Sequence, residues 1–153
     1  MQRDRANAVE VVHRWASLWS SGQLSDAERI FAPELHDHRP SPARDITSVD
    51  AEKQHITWVR SAFPDLQVEN EGMVIEANHV AARMTHRATH RGPFMGIPPT
   101  GTTVVYEGTV IFRLRDGRIA ERWGTVDLFA ILWQLGNRPP GPMGSGEVAN
   151  LAS

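Results

Sequence analysis

Residues 103–127, TVVYEGTVIFRLRDGRIAERWGTVD, decide the fold. Apolar residues recur there at every second position, which is the period of a strand and not of a helix. Asp116-Gly117 interrupts the run at its centre. An Asp-Gly pair between alternating apolar residues is the strongest short-range signal for a two-residue hairpin turn. The stretch therefore reads as two antiparallel strands, 103–115 and 118–127. With Asp116 and Gly117 as the loop, Arg115 pairs with Arg118. A regular register then sets Leu114 opposite Ile119, Phe112 opposite Glu121, Val110 opposite Trp123, Gly108 opposite Thr125 and Tyr106 opposite Asp127. These ten residues share the apolar face. The other face carries Glu107, Thr109, Arg113, Arg115, Arg118 and Arg122, and is expected to be wet or to meet another subunit.

Upstream of this hairpin lies a second one, read as strands 67–76 and 79–91 joined at Ala77-Asn78. Between the hairpins runs Arg91-Gly92-Pro93-Phe94-Met95-Gly96-Ile97-Pro98-Pro99-Thr100-Gly101. It suits either a lid on a stiff Pro98-Pro99 base, or a plug in the open end of the sheet or a contact with a second subunit. Towards the N-terminus the period becomes helical. Val9, Val12, Ala16 and Trp19, widened by Val11, Trp15 and Leu18, make an apolar stripe on a helix over 5–20 that ends at Gly22. Ser25 and Glu28 suggest a capping box for a short helix carrying Ile30 and Phe31. Residues 34–40 read as a short extended piece closed by Pro40, and a third helix spans about 49–63 before Pro64. A last helix covers about 128–135. The Pro/Gly-rich tail 137–153 reads as mobile or arm-like.

Three helices followed by a run of strands make an α+β protein. The reading is one domain, 1–136, with a curved antiparallel sheet wrapped around the N-terminal helices. Such a sheet, covered at one end, encloses a conical pocket. The composition excludes several classes. Of 153 residues, 41% are hydrophobic and 22% charged, the net charge is −2 and there is no cysteine. Thiol catalysis, disulfides and thiolate metal sites are therefore absent. No basic stripe invites nucleic acid, and no apolar run is long enough to cross a membrane. The N-terminus has no apolar signal segment, and the expectation is a cytoplasmic protein.

Tyr106, Glu121 and Asp127 are the polar members of the apolar face. A carboxylate among Trp, Val and Phe side chains is pushed towards its neutral form and becomes a usable proton shuttle. Asp127 also directly precedes a helix, so it suits an N-cap equally well. Glu121 suits an exposed edge charge. Of the seven histidines, His36 and His38 share one strand face, and His86 and His90 share another. The reading prefers cavity-lining or hydrogen-bonding roles for them over a metal site. Trp15, Trp19, His36 and Trp58 are expected to line the pocket from the N-terminal half. Phe94, Met95, Tyr106, Val110, Phe112, Glu121 and Trp123 would line it from the sheet and its loop.

Several motifs in order resemble one family. They are Phe63-Pro64-Asp65-Leu66, Arg83-Met84-Thr85-His86, Thr89-His90-Arg91-Gly92-Pro93-Phe94-Met95-Gly96-Ile97-Pro98-Pro99-Thr100-Gly101, Ile111-Phe112-Arg113, Asp116-Gly117-Arg118-Ile119, Glu121-Arg122-Trp123, Asp127 and Gln134-Leu135-Gly136. Over about residues 5–136 the chain resembles the SnoaL-like polyketide cyclases. The resemblance implies the cone-shaped α+β barrel shared with ketosteroid isomerase, scytalone dehydratase and limonene epoxide hydrolase. It implies ring closure by intramolecular aldol chemistry with no metal and no cofactor, and an acid/base aspartate at Asp127. Catalytic partners would come from His38 and His90, with Tyr106 as a further donor. The first-strand motif here, His36-Asp37-His38-Arg39-Pro40, departs from the family's His-Asn-Pro-like form, which leaves the partner of Asp127 open. The implied substrate is an apolar or aromatic small molecule, and the implied assembly is a homodimer through the outer sheet face. Two other readings stand beside this one: epoxide opening by Asp127 or Glu121, and a non-catalytic binding module.

Overall fold

The computed structural model describes residues 2–38 and 45–137. The expected loop around Pro40 and Pro42 and nearly all of the 137–153 tail lie outside the described residues. Helix α1 (Gln2–Ser21) leads through a 3-10 turn at Leu24–Asp26 into the one-turn α2 (Ala27–Ile30) and then β1 (Phe31–His38). Helix α3 (Val49–Ala62) follows, then strands β2 (Gln67–Glu76), β3 (His79–Thr89), β4 (Thr103–Arg115) and β5 (Arg118–Val126), and finally α4 (Leu128–Gln134). The five strands form one open sheet in the order β1-β5-β4-β3-β2. The α+β class is as expected, but the sheet is mixed: β1 pairs with β5 in parallel, whereas the other pairs are antiparallel.

Local chemistry explains the elements. Ser48 caps α3 by accepting the Ala51 N–H at 3.1 Å, and Phe63 ends the helix just before Pro64. Ser25 makes no such cap and sits inside the 3-10 turn. At Asp116-Gly117 both residues take positive φ, 49° and 75°, the conformation of a type I′ hairpin turn. On β3 burial alternates strictly along the strand, and Val80, Ala82, Met84, His86 and Ala88 all face inward. The buried stripe of α1, comprising Val11, Val12, Trp15, Leu18 and Trp19, packs over this inner face.

One feature of β5 overturns the expected register. Arg113 pairs with Glu121 and Leu114 with Ile119, so Ala120 is an extra residue in β5. This is a β-bulge, and beyond it every side chain of β5 changes face. Phe112 lies opposite Arg122, Val110 opposite Gly124 and Gly108 opposite Val126. Glu121, Trp123 and Thr125 therefore do not share the apolar face with Phe112 and Val110, and Arg122 does. The physical driver is burial: Ile119 and Ala120 are adjacent, and both are buried.

Candidate functional site

The inner face holds a buried ion pair that the regular register hid. Arg122 Nη1 donates to Asp37 Oδ2 at 2.7 Å, with Arg122 8% and Asp37 0% exposed. Asp37 reaches the interior because it alternates with His36 and His38 along β1, on the same side as Leu35. Gly124 leaves room for the guanidinium, since a Cβ there would lie 2.5 Å from an Arg122 nitrogen. The guanidinium also stands 5.4 Å from the Trp15 ring centre, a cation–π contact.

His86 comes from β3 onto the same face. Its ring stacks on Tyr106, with centres 4.7 Å apart and planes 4° from parallel. Burial lowers the His86 pKa to about 4; the Tyr106 backbone opposes that shift and the Arg122 charge adds to it. His86 is therefore neutral at neutral pH. Burial pushes the Tyr106 hydroxyl well above its ordinary range. Among the described residues, Trp15 Nε1, Trp19 Nε1, Arg122 Nε and His86 Nδ1 are buried nitrogens without a hydrogen-bond partner. The two indole groups and the guanidinium Nε are donors only. Trp15 contacts both Trp19, at 6.0 Å between ring centres, and Arg122.

His90 closes the far end of β3 and is fully buried. Its Nδ1 accepts the Thr100 backbone N–H at 3.2 Å. An accepting Nδ1 puts the proton of a neutral ring on Nε2, and that nitrogen is buried without a partner. The segment after His90 is held to α3: the Arg91 and Gly92 N–H groups both donate to the Ala62 carbonyl. A Cβ at Gly92 would lie 2.1 Å from the Ser61 carbonyl oxygen, so only glycine allows this docking. Phe94 then packs on Phe63 at 5.1 Å and Trp58 at 5.8 Å. The loop thus plugs against α3 through Phe94, while Met95 is 47% exposed at a tight turn.

The sequence-expected site residues divide into two groups. Trp15, Trp19, His90, Phe94, Tyr106, Val110 and Phe112 are buried. Trp58 and Met95 are half exposed. His36, His38, Glu121 and Trp123 stand together on the opposite side of the sheet. His38 stacks on Trp123 at 4.9 Å and lies 3.2 Å from Glu121, and Arg113 holds Glu121 at 2.9 Å. That arginine lowers the Glu121 pKa, contrary to a carboxyl raised by an apolar pocket. Asp127 is exposed and caps α4, its Oδ1 accepting the Ala130 N–H at 2.8 Å, and it does not oppose Tyr106.

Asp37 and the fully buried Glu52, whose carboxylate lies 3.9 Å from His55, were not among the expected site residues, and Arg122, expected on the wet outer face, is buried. Asp37 was findable: if His36 and His38 share one face, Asp37 must take the other with Leu35. Arg122 was not findable without the bulge. An open cleft of about 830 Å³ lies elsewhere, at the hairpin-turn end of the sheet, lined by residues such as Arg5, Asn7, Ile75, Asn78 and Asp116. Among the described residues, none of the buried ionisable groups borders it.

The family profile described as SnoaL-like polyketide cyclase matches residues 9–135. The chain therefore belongs to the SnoaL-like polyketide cyclase family. It is 23% identical over 133 residues to aklanonic acid methyl ester cyclase AcmA of Streptomyces galilaeus, covering 86% of this chain and 92% of AcmA. Among solved structures it resembles AclR of Streptomyces galilaeus, with 29% identity, a TM-score of 0.77, and coverage of 100% of this chain and 95% of AclR. It also resembles TsrD of Streptomyces laurentii, with 26% identity, a TM-score of 0.79, and coverage of 88% and 98%. Among the described residues no helix is long and apolar enough to cross a membrane.

Proposed function

We propose that the protein is a cofactor-independent cyclase that moves a proton on a carbonyl-bearing, polyketide-like compound held against the inner face of the sheet. The observation that carries this reading is the set of buried donors without protein partners at Trp15, Trp19 and Arg122. Buried donors left unpaired are costly, so a ligand that binds here gains by presenting acceptors. Carbonyl oxygens do so, and an enolate oxygen does so more strongly because the bonds become charge-assisted. Arg122, held by Asp37, supplies the fixed positive charge for that oxygen. His86, neutral and with a free Nδ1, takes the proton from the adjacent carbon, and the enolate carbon then attacks a second carbonyl of the same molecule to close the ring. The proton on His86 returns to the new alkoxide, so the step balances without a cofactor.

The resemblance to the family favours Asp127 as the acid/base instead, and one oxygen of its carboxylate remains available beside the cap bond. Turnover of a poly-β-ketone methyl ester by three variants separates the two. His86→Gln and Arg122→Met should each lose at least about a hundredfold in kcat/KM, as expected for a general base or an oxyanion donor. Asp127→Asn keeps the cap and should stay within a few-fold of the wild type. The reverse ranking would move the proton transfer to Asp127. The proposed assembly is a homodimer through the outer sheet face, where Val105 and Ile111 are exposed. A light-scattering mass equal to one chain would refute it.

A further inference from the structure

Outside the inner face, one cluster gathers metal-ligating groups from three separate stretches of chain. On β1 the order Leu35-His36-Asp37-His38 buries Leu35 and Asp37 and turns both imidazoles outward. The two rings stack with centres 3.7 Å apart. Parallel pairing with β5 sets His36 against Glu121 and His38 against Trp123. The chain then returns: Ile46 exchanges both backbone hydrogen bonds with Asp37, at 2.7 and 3.1 Å. That bridge delivers Asp45 to His36, with Oδ2 at 2.8 Å from Nε2. One ligand atom from each of His36, His38 and Asp45 lies within 4.8 Å of the others.

We propose that His36, His38 and Asp45 bind a divalent transition-metal ion on the outer face of the sheet, at the β1 edge. Two imidazole nitrogens and a carboxylate oxygen suit Zn²⁺, Co²⁺, Ni²⁺ or Cu²⁺ and do not suit Ca²⁺ or Mg²⁺, which favour all-oxygen sets. Ligand atoms around a tetrahedral ion stand about 3.3 Å apart. Small side-chain rotations of the partly exposed His36 and Asp45 close the remaining distance. The surroundings supply orientation. Trp123 lies flat under the His38 ring, 2° from parallel, and Glu121 holds His38 Nε2 at 3.2 Å. A carboxylate on one ring nitrogen fixes the tautomer of a ligating histidine and raises its basicity. Arg113 occupies the other oxygen of Glu121, which keeps that carboxylate in place and offsets its charge. Binding would fasten Asp45 to β1 on both sides of Asp37, so it would also stiffen the strand that carries the Arg122 ion pair inward.

The test uses the full untagged chain after treatment with chelator, with Co²⁺ and Zn²⁺ as probes. One Co²⁺ per chain should bind with the absorption bands of a low-coordinate nitrogen–oxygen site, Zn²⁺ should displace it, and Zn²⁺ should raise Tm. His36→Ala and His38→Ala should each weaken Zn²⁺ binding by more than about tenfold, and Glu121→Gln should weaken it less. Replacing the exposed His13 and His79 with Ala should change nothing. Circular dichroism of each variant separates a lost site from a lost fold. Failure to bind Co²⁺ or Zn²⁺ in the folded wild type, or equal binding in folded His36→Ala and His38→Ala, would overturn the proposal.

Discussion

Lowering the pH from 7 to 4 should remove a stabilising contribution that originates at one residue, His86. In the folded chain burial holds its pKa at about 4 against an ordinary 6.5. The unfolded chain takes up a proton as pH falls through 6.5, and the folded chain does not until about 4. Because the unfolded state then binds more protons, stability falls with falling pH across that window and is complete above it. A shift of this size corresponds to about 3 kcal/mol, or roughly 6–12 °C in Tm for a domain of this length. Carboxylates also titrate in acid, so the diagnostic quantity is a difference. Urea unfolding of the wild type and of His86→Gln at closely spaced pH values should give curves that converge by about 3 kcal/mol on going from neutral pH to pH 4. Parallel curves would refute the reasoning, as would an imidazole resonance of His86 that titrates near its ordinary value.

Two further outcomes follow from the same face of the sheet and its end. Arg122→Met removes the guanidinium that donates to the buried Asp37 carboxylate and should cost about 3–5 kcal/mol, most of it restored by adding Asp37→Leu; chemical denaturation of both proteins checks this. Asp127→Ala removes the α4 cap and should cost about 1 kcal/mol, whereas Asp127→Asn should cost almost nothing, as thermal melts would show.

The gross architecture was legible because it depends on local periodicity and turn chemistry. Alternation along 103–115, the Asp-Gly turn, Pro64 after α3, and the inward set on β3 all act over a few residues. The site was legible only in part. Trp15, Trp19, Tyr106 and His90 follow from periodicity and emerged as buried. Glu121, Trp123 and Asp127 did not keep their places, because pairing extrapolated from the turn assumes no extra residue, and Ala120 is one. A bulge leaves little mark in sequence: Ile119-Ala120 reads equally well as a strand passing from one face to the other. Parallel pairing of β1 with β5 was hidden for a similar reason, since its partners lie more than eighty residues apart along the chain.

By itself the sequence determined the α+β class, the hairpins, the helical stripes and the family motifs, including Asp127 ahead of a helix. Each of these rests on neighbours in the chain. Only the tertiary structure decided which carboxylate faces inward. Burying Ile119 and Ala120 together shifts β5 by one residue, and in a strand one residue reverses the face of everything that follows. That reversal takes Arg122 inward to Asp37, leaves Asp127 on the surface as a cap, and turns Glu121 outward to His38.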